Sequence, residues 1–209
     1  MKHAPSLLAL LLAGVLLLSG CGTGTNASTS VALPSNAPSS DTLRQLTLGD
    51  RHIQLEPEQS YSSWSADGGG TELRNLKELT VVQDWEKETL VTHAGIGLGA
   101  TIEAVLTTYD IQPQYARLTY EADPQGDGDT EVTDVPYLGT LPDWDEQALS
   151  DLCLCVAYAP VDGNWEALEQ STQSASNYAG AHILYDFGFI QQDGELVLGD
   201  LTVSYYTAT

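Results

Sequence analysis

The strongest constraint on the fold is an alternating apolar pattern near the C-terminus. Over Ala181–Ile190 an apolar or aromatic side chain recurs at every second position. A segment with this period presents one face to a core, as a β-strand does. Asp193-Gly194 then offers a turn that tolerates positive φ, and Leu196–Tyr206 continues the alternation. The sequence therefore predicts a β-hairpin, with a bulge at Gly199-Asp200. The alternating positions of the first strand are Ile183, Tyr185, Phe187 and Phe189.

Two short helices are predicted between strands. Over Ile102–Tyr109 the apolar residues are spaced i, i+3, i+4 and i+7, which places them on one helical face. Thr101 is a suitable N-cap, and Glu103 suits the positive end of the helix dipole. A second helix is predicted over Trp165–Ser174, after the turn residues Asp162-Gly163-Asn164.

The remaining predicted elements are strands, and together they suggest a fold class. In the second half of the chain the order is helix, strand, strand, helix, strand, strand, which indicates a pseudo-repeat. We expect an α+β fold with short helices packed on one face of an antiparallel sheet. The other predicted strands are Leu43–Leu48, His52–Leu55, Leu79–Gln83, Tyr115–Glu121 and Leu152–Tyr158.

The N-terminus has the organisation of an export signal. Lys2 and His3 precede an unbroken apolar run, Leu7–Leu18, and Ser19-Gly20-Cys21 follows at once. A transmembrane helix needs about 20 apolar residues to cross the hydrocarbon core. The shorter run therefore predicts the core of a signal peptide.

The segment Leu18-Ser19-Gly20-Cys21 resembles the lipobox of bacterial lipoproteins, in which small residues precede a cysteine. The resemblance implies cleavage before Cys21, attachment of lipid (palmitate among the acyl chains) through its sulfur, and a position outside the cell membrane. Two or three acyl chains anchor a protein far more firmly than one. The alternative is an ordinary secretory signal with a coincidental cysteine.

The composition changes directly after this cysteine. Gly22–Ser40 is rich in Ser, Thr, Asn, Gly and Pro and carries no charge, as flexible tethers do. We therefore predict a signal peptide over residues 1–20, a lipidated cysteine with a disordered tether over 21–40, and one acidic extracytoplasmic domain over 41–209.

The charge balance limits the partners of the domain. The chain has 29 Asp and Glu against 7 Lys and Arg, a net charge of −22. Such a surface repels nucleic acid and anionic lipid headgroups. Solubility is the simplest interpretation of the acidity, and affinity for cations or for a basic partner is the alternative.

Two further cysteines, Cys153 and Cys155, are separated by one residue. On a strand they would share a face with Cα atoms about 7 Å apart, at the limit of disulfide geometry. Their neighbours are apolar, which favours two buried thiols on a central strand. A strained redox pair and a soft-metal site are the alternatives.

A glycine-rich segment precedes the first predicted helix. Gly95–Ala100 satisfies the pattern G-x-G-x-x-A, and Glu121 stands at the spacing of a ribose-binding acid. The helix has barely two turns before Gln112-Pro113, and a dinucleotide fold needs several parallel strands. We therefore expect no cofactor here and assign the glycines a structural role.

The same segment carries a second resemblance. Thr92–Gly99, followed by Thr101, Val105 and Tyr109, is similar to a segment of small outer-membrane-assembly lipoproteins and the related β-lactamase-inhibitor-protein fold. The resemblance implies a short helix packed on an antiparallel sheet and a role in binding protein partners. Asp110 departs from the pattern, because such segments usually carry Gly after the Tyr.

Three sets of residues are weighed as ligand sites. Asp123–Asp134 has the oxygen-rich spacing of a calcium loop, but Pro124 and the missing flanking helices favour a solvated loop. The histidines do not have a metal-ligand spacing. The tryptophans suit either a sugar-stacking platform or the core. These residues are His52, His93 and His182, and Trp64, Trp85, Trp144 and Trp165.

The sequence leads to one interpretation and one alternative. We expect a non-enzymatic lipoprotein of the cell envelope, with no catalytic, cofactor or metal site, whose domain binds a protein partner. The alternative is a module that binds a ligand or carbohydrate through exposed tryptophans and acidic loops, with calcium as a candidate ion. A secreted hydrolase is the third class, and no set of residues in the sequence supports it.

Overall fold

The predicted C-terminal hairpin lies at the centre of an antiparallel sheet. A computed structural model describes residues 37–122, 131–139, 149–168 and 178–208. Within those ranges no helix is long and apolar enough to cross a membrane. In chain order the elements are α1 (Ser40–Leu43), β1 (Gln45–Leu48), β2 (Arg51–Gln54), β3 (Gln59–Trp64), β4 (Gly70–Asn75), β5 (Thr80–Glu86), β6 (Leu90–Thr92), α2 (Ile102–Thr108), β7 (Arg117–Ala122), β8 (Glu131–Pro136), β9 (Leu149–Val161), β10 (Asn164–Ala167), β11 (His182–Gln192) and β12 (Glu195–Tyr206).

The strands form a large sheet and a small one. The large sheet has the order β5-β4-β3-β12-β11-β9-β7-β8, with β10 beside the C-terminal part of β9. The small sheet has the order β2-β1-β6. All of these pairings are antiparallel, so hairpins and short returns build most of the fold.

The hairpin of β11 and β12 confirms the prediction from the alternating pattern. Asp193 and Gly194 form its turn with φ of 53° and 83°, as a tight two-residue connection requires. Gly188 pairs with Asp200 and Phe189 pairs with Leu198, so Gly199 is an extra residue in β12. This is the predicted bulge. A Cβ at Gly199 would lie 2.8 Å from Ile190 Cγ2, so a larger residue there would have to displace the Ile190 side chain.

The hydrophobic core lies against one face of the large sheet. The alternating residues of β11 are at most 1 % exposed, and β9 and β12 add aliphatic residues beside them. Ile102 and Val105 of α2 and Leu46 of β1 belong to the same buried cluster. One face of a single sheet thus supplies most of the apolar surface that the fold buries.

The opposite face of the sheet carries small polar side chains. Ser60 and Ser204 join β3 to β12 through hydroxyls 2.8 Å apart, and both are buried. Thr202 donates to Ser62 at 2.9 Å in the next pair on the same face of the sheet. These bonds satisfy hydroxyl groups that burial would otherwise penalise.

The α+β prediction is wrong: the domain is mostly β-sheet. Where a helix was expected from Trp165, the structure has β10, paired with β9 from Asn164↔Val161 to Ala167↔Tyr158. Asp162 and Gly163 have φ of 49° and 87° and form a two-residue hairpin turn, so they do not open a helix. The predicted pseudo-repeat is also wrong, because it required a second helix after Trp165. In the described ranges α2 is the one helix as long as seven residues. Residues 169–174 of the predicted helix lie outside the described ranges.

Candidate functional site

Three strongly exposed apolar side chains lie close together in sequence on and beside β5. Leu79 is 80 % exposed, Val81 51 % and Val82 59 %. In the part of the chain that the structure describes, β5 pairs with β4 alone, so its outer backbone edge is open. Exposed apolar edge strands are uncommon, because an open edge is a template for pairing with another chain.

Local hydrogen bonds order the exposed turn of this hairpin. The turn between β4 and β5 is held by the Asn75 side chain, which accepts hydrogen bonds from the amides of Lys77 and Glu78, each at 2.9 Å. Leu79 follows with a φ of +53°, which turns the chain back along β4. Trp85 is the residue of β5 that packs against the core, with its ring stacked 5.9 Å from that of Tyr61.

A β-bulge divides the edge strand. Arg74 is opposite Val81 and Leu73 is opposite Gln83, so Val82 is the extra residue. Bulges increase the local twist, and native proteins use them to limit indiscriminate pairing of edges. Regular pairing with β4 resumes at Gln83 and runs to Glu86. The outer backbone edge of this short segment could pair with an extended peptide as an added strand.

The charged residues of β5 itself are both acidic, and Lys77 and Lys87 flank the strand. Arg51 is bonded to Glu88 at 2.8 Å and lies over the Trp85 ring at 5.6 Å. Arg74 is paired with Glu72. Asp84 and Glu86 are exposed on β5 itself, and neither has an ion-pair partner among the described residues.

The glycine segment before α2 has the structural role expected of it. Gly95 and Gly99 have φ of 82° and 83°, a region that glycine adopts without strain. Thr101 caps α2 by accepting a hydrogen bond from the amide of Ala104 at 3.3 Å. The chain therefore turns tightly and anchors α2 on the sheet. The side chain of Glu121, which has the sequence spacing of a ribose-binding acid, is outside the described set.

His93, after β6, joins a buried tyrosine cluster. Tyr185 donates its hydroxyl hydrogen to the carbonyl of Leu43, so its oxygen accepts from His93 Nδ1 at 3.0 Å. Tyr109 donates to Thr92 at 2.9 Å in the same cluster. Burial lowers the pKa of His93 and raises the pKa of Tyr185. This network ties α1, β6 and α2 to β11 with neutral groups, which is a structural role.

Cys153 and Cys155 are thiols on the face of β9 opposite the core, and they do not form a disulfide. Both are only partly buried, which corrects the prediction of two buried thiols. Cys155 donates to Asp186 Oδ1 at 3.3 Å. Burial, followed by the Asp186 carboxylate, raises the pKa of Cys155, so it remains a protonated and weakly nucleophilic thiol.

The other candidate ligand sites are dispersed. In the described ranges no three His, Cys, Asp or Glu residues are grouped to hold a metal ion. His52 is exposed on β2, whereas His182 is buried and stacks on Tyr206 at 4.6 Å. Trp85 is on the inner face of the sheet and shares that face with its cross-strand neighbours Thr71 and Ser63. Trp64 follows Ser63 in β3, so its side chain is on the outer face.

Trp165 packs edge-on against Tyr205 at 6.1 Å beside the core. The three described tryptophans therefore do not form one stacking platform, which leaves Trp64 as the tryptophan that faces outward. Several predicted sites lie outside the described residues: Cys21, Trp144, and the segment 123–130 of the calcium-like loop. Asp134, the last residue of that loop, is part of β8, whose pairing with β7 from Glu131 onward leaves no flanking helix there.

Sequence reasoning missed the open edge of β5. The run Thr80-Val81-Val82 indicates a strand, but it has the same composition as a strand buried at the centre of a sheet. The position of β5 at the end of the strand order appears only in the fold. A search of protein-family models found no matching family, and searches of curated proteins and of solved structures found no match.

Proposed function

We propose that this protein is a lipid-anchored protein of the bacterial cell envelope, held outside the cell membrane through Cys21, whose folded domain binds another protein along β5. The observation that carries the proposal is the exposure of Leu79, Val81 and Val82 on an open edge strand. Exposed apolar groups beside free backbone donors and acceptors are what an added strand uses for affinity and specificity.

The chemistry of the edge favours an extended basic segment as the occupant. Asp84 and Glu86 offer two carboxylates without ion-pair partners among the described residues, and alternate Lys or Arg side chains of an added strand would face them. A second copy of the chain is disfavoured, because each copy has a net charge of −22. The bulge at Val82 further restricts pairing to a partner that fits its twist.

The test compares two exposed apolar positions on the full-length chain in intact cells. A photo-crosslinking residue is placed at Val82 or at Leu138, which is 71 % exposed and follows β8 at the opposite end of the strand order. We expect Val82 to capture one recurrent partner through a basic segment, and Leu138 not to capture it. Equal capture at both positions, or capture through an acidic segment, would contradict the proposal.

A synthetic copy of the captured segment then tests the mode of binding. The peptide should bind the purified chain, and the double variant Val81→Ser with Val82→Ser should weaken binding about tenfold or more, as expected for loss of central apolar contacts. Leu138→Ser is the matched control and should bind like the parent. Backbone N-methylation of the peptide should abolish binding; unchanged binding would exclude strand addition.

The anchor is tested separately. Cys21→Ala should release the protein from the membrane fraction or leave an uncleaved precursor, whereas Cys153→Ala should leave processing unchanged. Normal processing and membrane retention of the Cys21 variant would contradict the anchor without affecting the edge proposal.

A further inference from the structure

A groove of about 360 Å³ opens on the domain beside the C-terminal end of β5. It is formed where the end of β3, the turn after β5, the loop before α2 and the β11–β12 hairpin converge. Its volume is at the small end of the range of ligand pockets, ~300–1,000 Å³. Small ligands commonly bind where several elements meet in this way.

The lining of the groove has a charge opposite to that of the chain. Lys87 lines it, and no Asp or Glu does, in a protein with 29 acidic residues. Lys87 has no acidic partner within 4.0 Å among the described residues. Lys87 is therefore the one formally charged side chain of this lining, and its ammonium favours a ligand that carries a negative charge.

Hydrogen-bonding groups converge on the same groove. None of the five polar side chains in this lining makes a hydrogen bond within the described part of the chain, so each is available to a ligand. They provide an N–H donor, an ammonium, two hydroxyls and an amide, which match a molecule with several hydroxyl groups. The side chains are Trp64, Lys87, Ser65, Thr89 and Gln192.

Trp64 is held in place as an apolar surface in the groove. A Cβ at Gly70 would lie 3.1 Å from Trp64 Cζ2, so the ring rests directly on the backbone of β4. Leu98 and Ile190 add aliphatic walls. An indole fixed beside aliphatic groups offers a flat face for the C–H surface of a ring, while its N–H serves a polar group.

We propose that this groove binds a small sugar that carries a carboxylate, with Trp64 against the sugar ring and Lys87 at the carboxylate. One ammonium matches one carboxylate, whereas phosphate sites usually collect several donors or cations. The hydroxyls and the amide of the lining residues then bind the sugar hydroxyls. This site is distinct from the protein-binding segment of β5.

The test uses the full-length chain in detergent, labelled with 5-fluorotryptophan, and observed by fluorine NMR. The chain has 4 Trp residues, and Trp64→Phe identifies the Trp64 signal. Glucuronate should shift that signal saturably. Glucose lacks the carboxylate and acetate lacks the sugar ring, so each should bind at least about tenfold more weakly. No shift with glucuronate, or equal shifts with acetate, would overturn the proposal.

The matched variants are the two lysines that flank β5. Lys87→Gln removes the ammonium from the groove and should weaken glucuronate binding about tenfold, to the affinity for glucose. Lys77→Gln makes the same chemical change in the turn before β5 and should bind like the parent. Equal losses in both variants would indicate general charge attraction and would overturn the assignment of Lys87.

Discussion

The two hairpins β11–β12 and β4–β5 show what the domain uses for stability and what it leaves for recognition. The alternating residues of β11 are at most 1 % exposed and the hairpin lies in the middle of the large sheet. β5 is at the end of the same sheet with Val81 and Val82 more than half exposed. Two strands of one sheet therefore differ in role, and the difference follows their position in the strand order. The central hairpin stabilises the fold, and the edge hairpin is available to a partner.

Truncation of a central aromatic should have the largest effect on this contrast. Phe187 is 0 % exposed, and Phe187→Ala should lower the free energy of unfolding by about 3–5 kcal/mol, because it leaves a cavity in the core. Val81→Ala should change it by less than ~0.5 kcal/mol, as exposed positions usually do. Urea denaturation measures both variants; comparable losses would show that β5 is packed as firmly as β11.

The sequence predicted the central hairpin because its apolar side chains face one core at period two. It did not predict β3 and β4, since their buried positions include Ser60, Ser63 and Thr71. Hydrogen bonds satisfy these side chains, as in the 2.9 Å bond from Thr71 to Ser63. Polar residues that are buried in this way leave no apolar period in the sequence.

The candidate sites were harder to predict than the strands. The groove combines Trp64, Lys87 and Gln192, which come from three distant parts of the chain, so no local motif could indicate it. The predicted helix from Trp165 failed because Asp162-Gly163 suits both a helix start and a hairpin turn. Pairing of β10 with β9 decides between them.

Removal of one buried hydroxyl should have an intermediate effect. Tyr185→Phe leaves the Leu43 carbonyl and His93 without their shared partner, which should cost about 1–3 kcal/mol of unfolding free energy. Tyr205→Phe is the control, because its ring packs against Trp165 while its hydroxyl makes no hydrogen bond among the described residues. Equal stability of the Tyr185 variant and the parent would contradict a structural role for the network.

The pH dependence of stability should report the same cluster with a smaller effect. Burial lowers the pKa of His93 in the folded protein below its usual 6.5, so the unfolded chain binds the proton more readily. The contribution is fully present above about pH 6.5 and is lost as the pH falls below it. A hydrogen bond from the Thr207 hydroxyl lowers the pKa of Glu58 below its usual 4.5, so this carboxylate titrates in a more acidic window. His93→Gln should therefore flatten the decline between pH 7 and 5.5, and an unchanged slope would exclude His93.

The smallest effect on stability is expected where the effect on recognition is largest. The double variant Val81→Ser with Val82→Ser should leave the urea midpoint of the free protein almost unchanged, because both side chains already contact water. Loss of more than about 2 kcal/mol would mean that the edge strand supports the fold and is not a free surface.

Amide hydrogen exchange of the full-length chain tests the contrast between the hairpins most directly. We expect β11–β12 to exchange only on global unfolding, while the outward amides of Thr80–Glu86 exchange fast in the free protein. Addition of the captured basic peptide should protect Thr80–Glu86 and leave β11–β12 unchanged. Protection of β5 in the free protein equal to that of β11, or peptide protection elsewhere in the domain, would contradict the open edge as the binding site.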